Sequence, residues 1–390
     1  MTKTIHIALC INKKYVRPCK ILMHSILEFS KSPTIFHILD TDLSDDDKSV
    51  LSSNNIQKEF RIEFHTPKID KENFPIRKGD RVTIETYFRF FLPGLIKDVH
   101  TVLYMDVDMI CLDDLTPLFD YDLTEYPCAM VPDFFYSDIR IFNRLEYPIK
   151  NGYFNAGVML INLDYWRKNS IAEKLISYVE QNPQRCLKHD QDAINAVLNG
   201  KIFELPTRYN FQHSFFNIHG IMNKYTPNFP NAEKYQDAFM PSEKWNEIAD
   251  SMNTPCLIHF CVNQKPWHKE CTLPFAKVWR EFQKREFGKT KLISCYAGKK
   301  RIKVAIHKIL AFFGIMKKIE YGFYDKKGYE LENDFLSSLY PPPSTLPPKQ
   351  HCISHLKAYL LYANLNPLYL KTASVYIHDS RNEASFLEAA

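Results

Sequence analysis

Segments with the period of a β-strand alternate with segments of helical period near the start of the chain, and this alternation constrains the fold most. The strand-like segments are residues 5–11, 34–39, 61–65 and 100–105. The helical segments between them are residues 16–29, the acid-rich "DLSDDDKSVLSS" and residues 84–92. Acidic side chains in the first turn of a helix interact favourably with the helix dipole. Strands that alternate with helices predict an α/β fold with a mostly parallel, doubly wound sheet.

The fourth strand-like segment ends in two acids, in "LYMDVDMICLDDL". If the chain is extended there, Asp106 and Asp108 point to the same side, about 6.5–7 Å apart. Ligands of such sheets bind beyond the carboxyl ends of the strands, and two close carboxylates need a cation, a proton or water between them. The spacing alone is a weak signal, because residues 40–42 and 120–122 repeat it. We interpret those two pairs as solvated turn acids.

Composition excludes several classes of protein. The 390 residues, 45% of them hydrophobic, predict a large core in two or three units. A net charge of +5 is too small for a dedicated nucleic-acid binder, and 11 glycines form no dinucleotide or P-loop fingerprint. The ten cysteines form no C-x-x-C pair, which favours reduced thiols. The start reads as a strand and no run reaches the roughly 20 apolar residues of a membrane span, so we predict a cytoplasmic protein.

Three further segments carry polar residues beside apolar runs. "NGYFNAGVMLINLDYWRKN" combines the small residues 155–157 with an apolar strand at 158–163 and a following helix. Its glycine would let a ligand approach the backbone, although a tight turn explains it too. "HDQDAINAVLNGKIFELPTRYNFQ" begins a helix with acids, which can also simply cap it. "CLIHFCVNQKPWH" supplies His259 and Lys265 after a short strand, and a core histidine with a solvated lysine is the alternative.

Together and in this order, MDVD, YFNAGVMLINL, HDQDAIN and HFCVNQKPWH resemble the family-8 retaining glycosyltransferases over about residues 4–285. That group includes bacterial lipopolysaccharide galactosyl- and glucosyltransferases and, more distantly, glycogenin. The resemblance implies a nucleotide-sugar-binding GT-A fold, a UDP-hexose donor and a Mn²⁺ ion, with Mg²⁺ as the alternative ion.

The resemblance also implies roles for residues of this chain. The metal ligands would be Asp106, Asp108 and His259. The residues expected around the nucleotide sugar are Asn12, Tyr15, Asp106, Val107, Asp133, Ala156 and Lys265. The residues expected to act on the transferred sugar are Arg89, Asn155, Asp190 and Gln191. Because Gln191 is a neutral amide and a poor nucleophile, we favour transfer on the face that the leaving group vacates, with Asp190 as the alternative nucleophile.

Two positions depart from the family pattern. Asn12 stands where relatives usually have an acid, which alters the expected nucleobase contacts. Val262 stands where they commonly have glycine. A β-branched residue adopts a positive φ only at a cost, so we expect slower turnover or a shifted loop.

The C-terminal quarter differs in composition from the rest. We predict a catalytic domain over 1–288, a basic amphipathic helical region over 289–339, a proline-rich linker over 340–350 and an appendage over 351–390. Residues 299–318 would bind an anionic membrane surface, with an ordinary solvated helix as the alternative. We therefore predict a glycolipid or oligosaccharide acceptor, such as a lipopolysaccharide core. We predict no nucleic-acid partner.

Other functions stay open at this point. Within the same chemistry, the acceptor could be a protein serine or a tyrosine, as in self-glucosylating relatives. Without catalysis, the chain would be a nucleotide-sugar-binding module. A metal-dependent phosphodiesterase would want a second cluster of metal ligands, and none is evident in the sequence.

Overall fold

The computed structural model describes residues 3–56, 58–69, 74, 76, 82–136, 138–217, 242–295 and 326–339. The chain divides into two units, Met1–Phe335 and Leu336–Ala390. The predicted membrane-binding stretch 299–318, the linker 340–350 and the appendage 351–390 lie outside the described residues. Among the helices that are described, none combines the length and the apolar character needed to cross a bilayer.

The first half of the fold follows the predicted alternation. Its elements are β1 (Ile5–Cys10), α1 (Val16–Phe29), β2 (Thr34–Leu39), α2 (Asp45–Ser52), β3 (Phe60–His65) and β4 (Thr101–Met105). β1 pairs in parallel with β2 and β4, and β2 pairs in parallel with β3. The acids predicted at the start of α2 form a capping box, in which Ser44 and Asp47 bond each other's backbone N–H.

The predicted helix at 84–92 is the main local error in this half. It is a 3-10 helix (Ile84–Phe91) followed by the short α3 (Leu92–Leu95). Pro93 has no N–H to continue an α-helical ladder, and Leu92 N–H instead bonds the Arg89 carbonyl three residues back. This tight turn positions the Arg89 and Thr86 side chains.

The second half completes the sheet and covers it. Its elements are β5 (Met109–Cys111), β6 (Cys128–Pro132), α4 (Ile139–Leu145), β7 (Phe154–Asn162), α5 (Leu163–Lys168), α6 (Ile171–Gln181), α7 (Asp190–Val197), β8 (Ile202–Glu204), β9 (Phe211–Gln212), α8 (Ser242–Asn253), β10 (Leu257–His259), α9 (Ala276–Phe287) and α10 (Lys326–Leu339). Short 3-10 helices lie at Lys13–Tyr15, Thr116–Asp120, Ile149–Asn151, Thr207–Asn210 and His213–Asn217.

The strands form a large mixed sheet and a small one. The seven-stranded sheet has the order β3-β2-β1-β4-β7-β6-β8, and only β7 runs antiparallel to its neighbours. The prediction of a mostly parallel sheet is therefore confirmed. The small sheet has the order β5-β10-β9, with β10 antiparallel to β5. Because β5 follows β4 directly, this pairing brings β10 to the carboxyl end of β4.

β7 begins earlier than predicted. The residues 155–157, interpreted as a small polar lead-in or a tight turn, lie inside this strand. The Asn195 side chain supports the start of the strand by bonding both Phe154 N–H and Phe154 C=O, at 2.7 and 2.8 Å. These contacts come from α7, which the sequence pattern did not connect with the strand.

A buried polar cluster joins α9 to α1. Glu286 of α9 lies 2.6 Å from His24 Nδ1 and 3.8 Å from Lys20 Nζ. Asn55 Nδ2 also donates to Glu286, at 2.9 Å. Burial lowers the pKa of Lys20 and the Glu286 carboxylate acts against that shift. Since a buried charge without a partner costs several kcal/mol, this cluster holds α9 in one place.

Candidate active site

Asp106 and Asp108 leave β4 in a bend and not as extended chain, so the strand geometry predicted for them is wrong. The bend turns both carboxylates towards His259 at the end of β10. His259 Nε2 lies 3.3 Å from Asp108 Oδ1 and 3.8 Å from Asp106 Oδ2. One ligand atom from each of the three residues lies within 4.8 Å of the others. The structure therefore brings together the three residues that the sequence pattern suggested as metal ligands.

A chain of amide side chains determines which nitrogen of His259 faces the acids. Asp133 can only accept, and it takes a hydrogen bond from Asn155 Nδ2 at 2.8 Å. Asn155 Oδ1 then accepts from Asn210 Nδ2, and Asn210 Oδ1 faces His259 Nδ1, both at 2.9 Å. Nδ1 must therefore carry the proton, which leaves the Nε2 lone pair towards the carboxylates. A metal-binding histidine needs this arrangement.

Gly157 of β7 makes room for the imidazole. A Cβ atom there would lie 2.9 Å from both His259 Nδ1 and Asn155 Oδ1. Real Cβ atoms do not approach other atoms so closely. The glycine was predicted to let a ligand approach the backbone, and in the folded chain it accommodates His259 beside the strand.

Arg89 is the positive centre of the site. Its guanidinium lies 3.0 Å from Asp106 Oδ1 and 3.1 Å from Asp190 Oδ2, and it donates to the Ala156 carbonyl at 2.5 Å. It also stacks 3.9 Å above the Tyr104 ring. Burial would lower the pKa of Arg89, but the Asp190 carboxylate, Tyr104 and Asp106 raise it above its usual value. Arg89 thus links the acids at the end of β4 to the start of α7.

Lys265 forms an ion pair with Asp108 and donates to the Phe260 carbonyl at 2.7 Å. Burial would raise the pKa of the Asp108 carboxyl, but the Lys265 ammonium holds it well below its usual range. Lys265, for which the sequence left open a solvated or a functional position, is mostly buried beside the acids.

The start of α7 contributes the amide and acid expected at the sugar. Gln191 Nε2 donates to Asp133 Oδ2 and Gln191 Oε1 accepts from Ala156 N–H, both at 3.1 Å. Asp190 is buried and accepts from the Thr86 hydroxyl at 2.5 Å. The preceding residue, His189, has φ 53° and ψ −122°, a strained conformation for a residue with a side chain. Strain of this kind is common where side chains are held for function.

Asp192, the third polar residue at this helix start, has a structural role. It is fully buried, and its carboxylate lies 2.6 Å from Arg144 Nη1 and 2.7 Å from the Tyr153 hydroxyl. Lys188 N–H donates to it at 2.6 Å. These partners satisfy both of its oxygens.

The residues expected at the nucleobase lie at the end of β1. Asn12 Oδ1 caps the following 3-10 helix through Lys14 N–H at 3.0 Å, and Asn12 Nδ2 donates to Glu85 at 3.2 Å. Glu85 therefore places a carboxylate beside Asn12, where the resemblance led us to expect an acid. The Tyr15 ring lies edge-on to Trp267, 6.1 Å between centroids.

Two other expectations concern valines. The Val107 side chain packs in the hydrophobic core, so only its backbone is available to a ligand. Val262 does not have a positive φ, so the backbone strain expected there is absent.

Of the four acids expected to be solvated, Asp42, Asp120 and Asp122 are exposed and Asp40 is not. Asp40 is only 3% exposed. Asp40 N–H bonds the His65 carbonyl at 3.0 Å, which continues the pairing of β2 with β3 and draws the side chain inside. Burial raises the pKa of its carboxyl, and Oδ2 has no hydrogen-bond partner among the described residues.

Comparison with known proteins identifies the family. The model of glycosyl transferase family 8 matches residues 6–271, more than half of the chain. The chain belongs to this family. Its fold is the GT-A fold of these glycosyltransferases, as the resemblance implied.

Two curated relatives and one solved structure illustrate the match. General stress protein A of Bacillus subtilis (strain 168) is 26% identical over 277 residues, 70% of this chain and 90% of the relative. Lipopolysaccharide glucosyltransferase WaaO of Escherichia coli (strain K12) is 26% identical over 272 residues, 68% and 73% of the two chains. The crystal structure of the galactosyltransferase LgtC with donor and acceptor sugar analogues superposes with a TM-score of 0.59 and 26% identity. It covers 72% of this chain and 95% of that one.

Three residues of this glycosyltransferase support the site without having been predicted. Asn210 orients His259, Tyr104 donates to Asp106 Oδ1 at 2.7 Å, and Thr86 bonds Asp190. Asn210 lies within a segment that the sequence analysis had singled out, directly before β9. No strand was predicted there, so the sequence offered no specific signal for this residue.

Proposed function

We propose that this glycosyltransferase transfers a hexose, glucose or galactose, from a UDP-sugar with the help of Mn²⁺, or alternatively Mg²⁺. The observation that supports this most strongly is the convergence of Asp106, Asp108 and His259 within 4.8 Å of one another. Two carboxylates and a neutral imidazole form a mixed oxygen and nitrogen donor set that suits Mn²⁺. The hydrogen bond from His259 to Asn210 supports the same assignment.

The remaining polar groups would bind and orient the donor. A cation held by Asp106, Asp108 and His259 would neutralise charge on the departing diphosphate. Lys265 would supply a second positive charge beside it. The Tyr15 ring and Asn12 would contact the uracil, and the backbone of Val107 and Ala156 the nucleotide sugar.

The contacts of the sugar-pocket residues favour transfer with retention on the face that the leaving group vacates. Gln191 is a neutral amide whose oxygen already accepts from Ala156 N–H. Both oxygens of Asp190 are engaged, one by Thr86 and one by Arg89. Neither is therefore a strong nucleophile. The departing phosphate oxygen would take the proton of the acceptor hydroxyl, while Asn155, Asp133, Asp190 and Gln191 orient the sugar.

Metal-dependent transfer is tested by measuring UDP release from UDP-glucose and UDP-galactose with Mn²⁺, in the presence and absence of EDTA. We expect EDTA to abolish release. Asp108→Asn should lower turnover by about 100-fold or more, because several kcal/mol of charge stabilisation correspond to at least two powers of ten. Asp122→Asn, an exposed acid with the same spacing to its neighbour, is the matched control. EDTA-insensitive release, or equal turnover of the two variants, would contradict metal-dependent transfer, whereas no UDP release from either donor would favour a non-catalytic binding module.

The course of the reaction is tested separately. We expect Gln191→Ala to retain measurable turnover, because the amide orients the sugar and does not attack it. Mass spectrometry of the enzyme during turnover should find no glycosyl adduct. An adduct on Asp190 would overturn same-face transfer and establish a double displacement.

The acceptor that we propose is a sugar hydroxyl of a lipopolysaccharide or lipooligosaccharide core. A relative named as a lipopolysaccharide glucosyltransferase supports this choice. Mass spectrometry should detect a hexose added to a truncated lipid oligosaccharide, and not to serine or tyrosine peptides or to the enzyme itself. Transfer to a peptide or self-modification would favour the rival acceptors.

The same acceptor class motivates our proposals for the C-terminal region and for localisation. We propose that residues 299–318 bind the anionic inner face of the plasma membrane, as a cytoplasmic peripheral protein would. The chain would consist of a catalytic domain over 1–288, a basic region over 289–339, a linker over 340–350 and an appendage over 351–390. Sedimentation with anionic vesicles at low salt tests the membrane contact, and no binding would overturn it.

A further inference from the structure

A second group of metal-ligating side chains lies near the β3 edge of the large sheet. His6 of β1, His37 of β2, and Glu63 and His65 of β3 occupy the same sheet face, because His37 is the register partner of Glu63 and Leu39 that of His65. Their alternate neighbours, Ile7, Phe36, Ile38, Ile62 and Phe64, pack in the core on the opposite face. Three imidazoles and a carboxylate are an unusual set for the inward-facing positions of neighbouring strands.

The distances within this group match those between ligands of one ion. His37 Nδ1 lies 3.1 Å from His65 Nε2 and 3.4 Å from Glu63 Oε2. One ligand atom from each residue lies within 4.8 Å of the others. In a tetrahedral zinc site with bonds of about 2.0–2.2 Å, neighbouring ligand atoms are about 3.3–3.6 Å apart. The two distances from His37 are close to that range.

His6 is placed to orient His37 from behind. His6 Nδ1 lies 3.0 Å from His37 Nε2, and the two rings are stacked, 5.3 Å between centroids. If His37 Nε2–H donates to His6, the His37 Nδ1 lone pair faces Glu63 and His65. Metal-binding histidines commonly have such a partner on the other ring nitrogen.

Burial gives the group both a dry side and an open side. His37 is 1% exposed, whereas the Glu63 side chain is 41% exposed and His65 is half-buried. Arg61 competes with an ion for Glu63: its Nη2 lies 3.5 Å from Glu63 Oε1, and its side chain is largely exposed. Among the described contacts, it is the one Lys or Arg side chain that an ion would displace from Glu63.

We propose that His37, Glu63 and His65 bind a zinc ion, with His6 as the positioning residue of His37 and water at the fourth position. A donor set dominated by imidazole suits zinc better than Mn²⁺ or Mg²⁺. The ion joins the edge strand β3 to β2. In the metal-free chain, His65 and His37 share a hydrogen bond in its place.

This zinc site is separate from the acidic pair. β2 and β4 lie on either side of β1, so the three proposed ligands, on β2 and β3, are two strand spacings, about 10 Å, or more from β4. The two ions of a phosphodiesterase-type site lie about 3.5–4 Å apart. The second group of ligands therefore does not make this chain a two-ion phosphodiesterase.

The test uses the untagged full chain carrying Asp106→Asn and Asp108→Asn, so that the acidic pair does not contribute. Zn²⁺ affinity is measured by competition with a chromophoric chelator. Adding Glu63→Gln or His65→Gln should weaken Zn²⁺ binding by about 100-fold, as expected for loss of a ligand or its orientation. His100→Gln, which removes a largely exposed histidine paired with Asp164, should leave the affinity unchanged.

Two further measurements distinguish the loss of a zinc ligand from a loss of folding in the variants. Co²⁺ should give the intense visible absorption of a four-coordinate ion in the parent chain and lose it in Glu63→Gln. Zn²⁺ should also raise the melting temperature of the parent, because it binds only the folded chain, and not that of Glu63→Gln. Equal Zn²⁺ affinity in the parent and both variants, or a weak six-coordinate Co²⁺ spectrum, would overturn the proposal. None of these measurements depends on glycosyl transfer.

Discussion

The direction of the hydrogen bond between His259 Nδ1 and Asn210 Oδ1 decides whether His259 Nε2 can present a lone pair to the acids. Asp133, as a carboxylate, fixes the amide of Asn155, which fixes Asn210, which fixes the imidazole. Each step follows from the single donor or acceptor that the next atom offers. At the residue scale the site is therefore a matter of proton positions as much as of distances.

Removing Asn210 should release this orientation. We expect Asn210→Ala to weaken Mn²⁺ binding by about 10- to 100-fold, the usual cost of losing a residue that orients a metal ligand. Titration of free Mn²⁺ followed by electron paramagnetic resonance measures the affinity. Asn199→Ala, which removes an amide bonded only to Ala196 and Asn151 in the described contacts, is the matched control. Equal Mn²⁺ affinity in both variants would show that Asn210 does not position His259.

At the scale of elements, β7 joins the two halves of the site. Its Asn155 reaches Asp133 and Asn210, its Ala156 bonds Arg89 and Gln191, and its Gly157 accepts a hydrogen bond from Asp106 N–H at 2.8 Å. Asn155 contributes its side chain, whereas Ala156 and Gly157 contribute backbone groups that lie beyond the register pairs of β7 with β4. A tight turn, the alternative interpretation of these three residues, would not hold such a pattern of contacts.

Gly157→Ala tests the close packing of β7 against His259. The added methyl group must displace the imidazole or the strand, so we expect a loss of about 1–3 kcal/mol in the free energy of unfolding and weaker Mn²⁺ binding. Urea unfolding and the Mn²⁺ titration measure the two effects.

Gly94→Ala is the control for that substitution. Gly94 lies in α3, and no atom lies within 4 Å of the position that an added methyl group would take. Alanine should therefore leave Mn²⁺ binding unchanged and stabilise the helix by up to about 1 kcal/mol. Equal behaviour of the two glycine variants would contradict the packing argument.

At the scale of the molecule, the part of α10 up to Phe335 packs against other segments of its own unit, Met1–Phe335. Tyr329 donates to the Thr272 carbonyl at 2.5 Å, and Glu332 accepts from Lys277 N–H at 2.6 Å. The Phe335 ring lies 6.0 Å from that of Phe29 and 6.4 Å from that of Phe275. These contacts indicate that α10 up to Phe335 stabilises the segment before α9, the first turn of α9 and the end of α1.

Two truncated chains test this contribution. A chain ending at Gly288 should lose at least about 2 kcal/mol in the free energy of unfolding, because each lost hydrogen bond costs about 1 kcal/mol and the packing of Phe335 is lost as well. A chain ending at Leu339 should unfold at the urea concentration of the full chain. If the chain ending at Gly288 is as stable as the full chain, α10 does not stabilise the unit.

The sequence alone determined the features that are encoded within a few residues. The periods of β1 to β4 and of α1, the capping box of α2 and the position of two acids after β4 all follow from local propensity and spacing. The four family motifs likewise identified the acids, His259, Lys265 and the start of α7 as parts of one site. Pro93 is also a local signal: without an N–H it cannot continue an α-helix through residues 84–92, and this signal was missed in the prediction.

Only the tertiary structure decided how those parts meet. The orientation of His259 depends on Asn210, Asn155 and Asp133, which lie 49, 55 and 22 residues apart along the chain from one partner to the next. The need for glycine at 157 and the grouping of His37 with Glu63 and His65 arise from strand register between separate segments. Hydrogen-bond direction and close atomic contacts depend on the positions of atoms in space. Spacing along the chain does not determine those positions until the strands have paired.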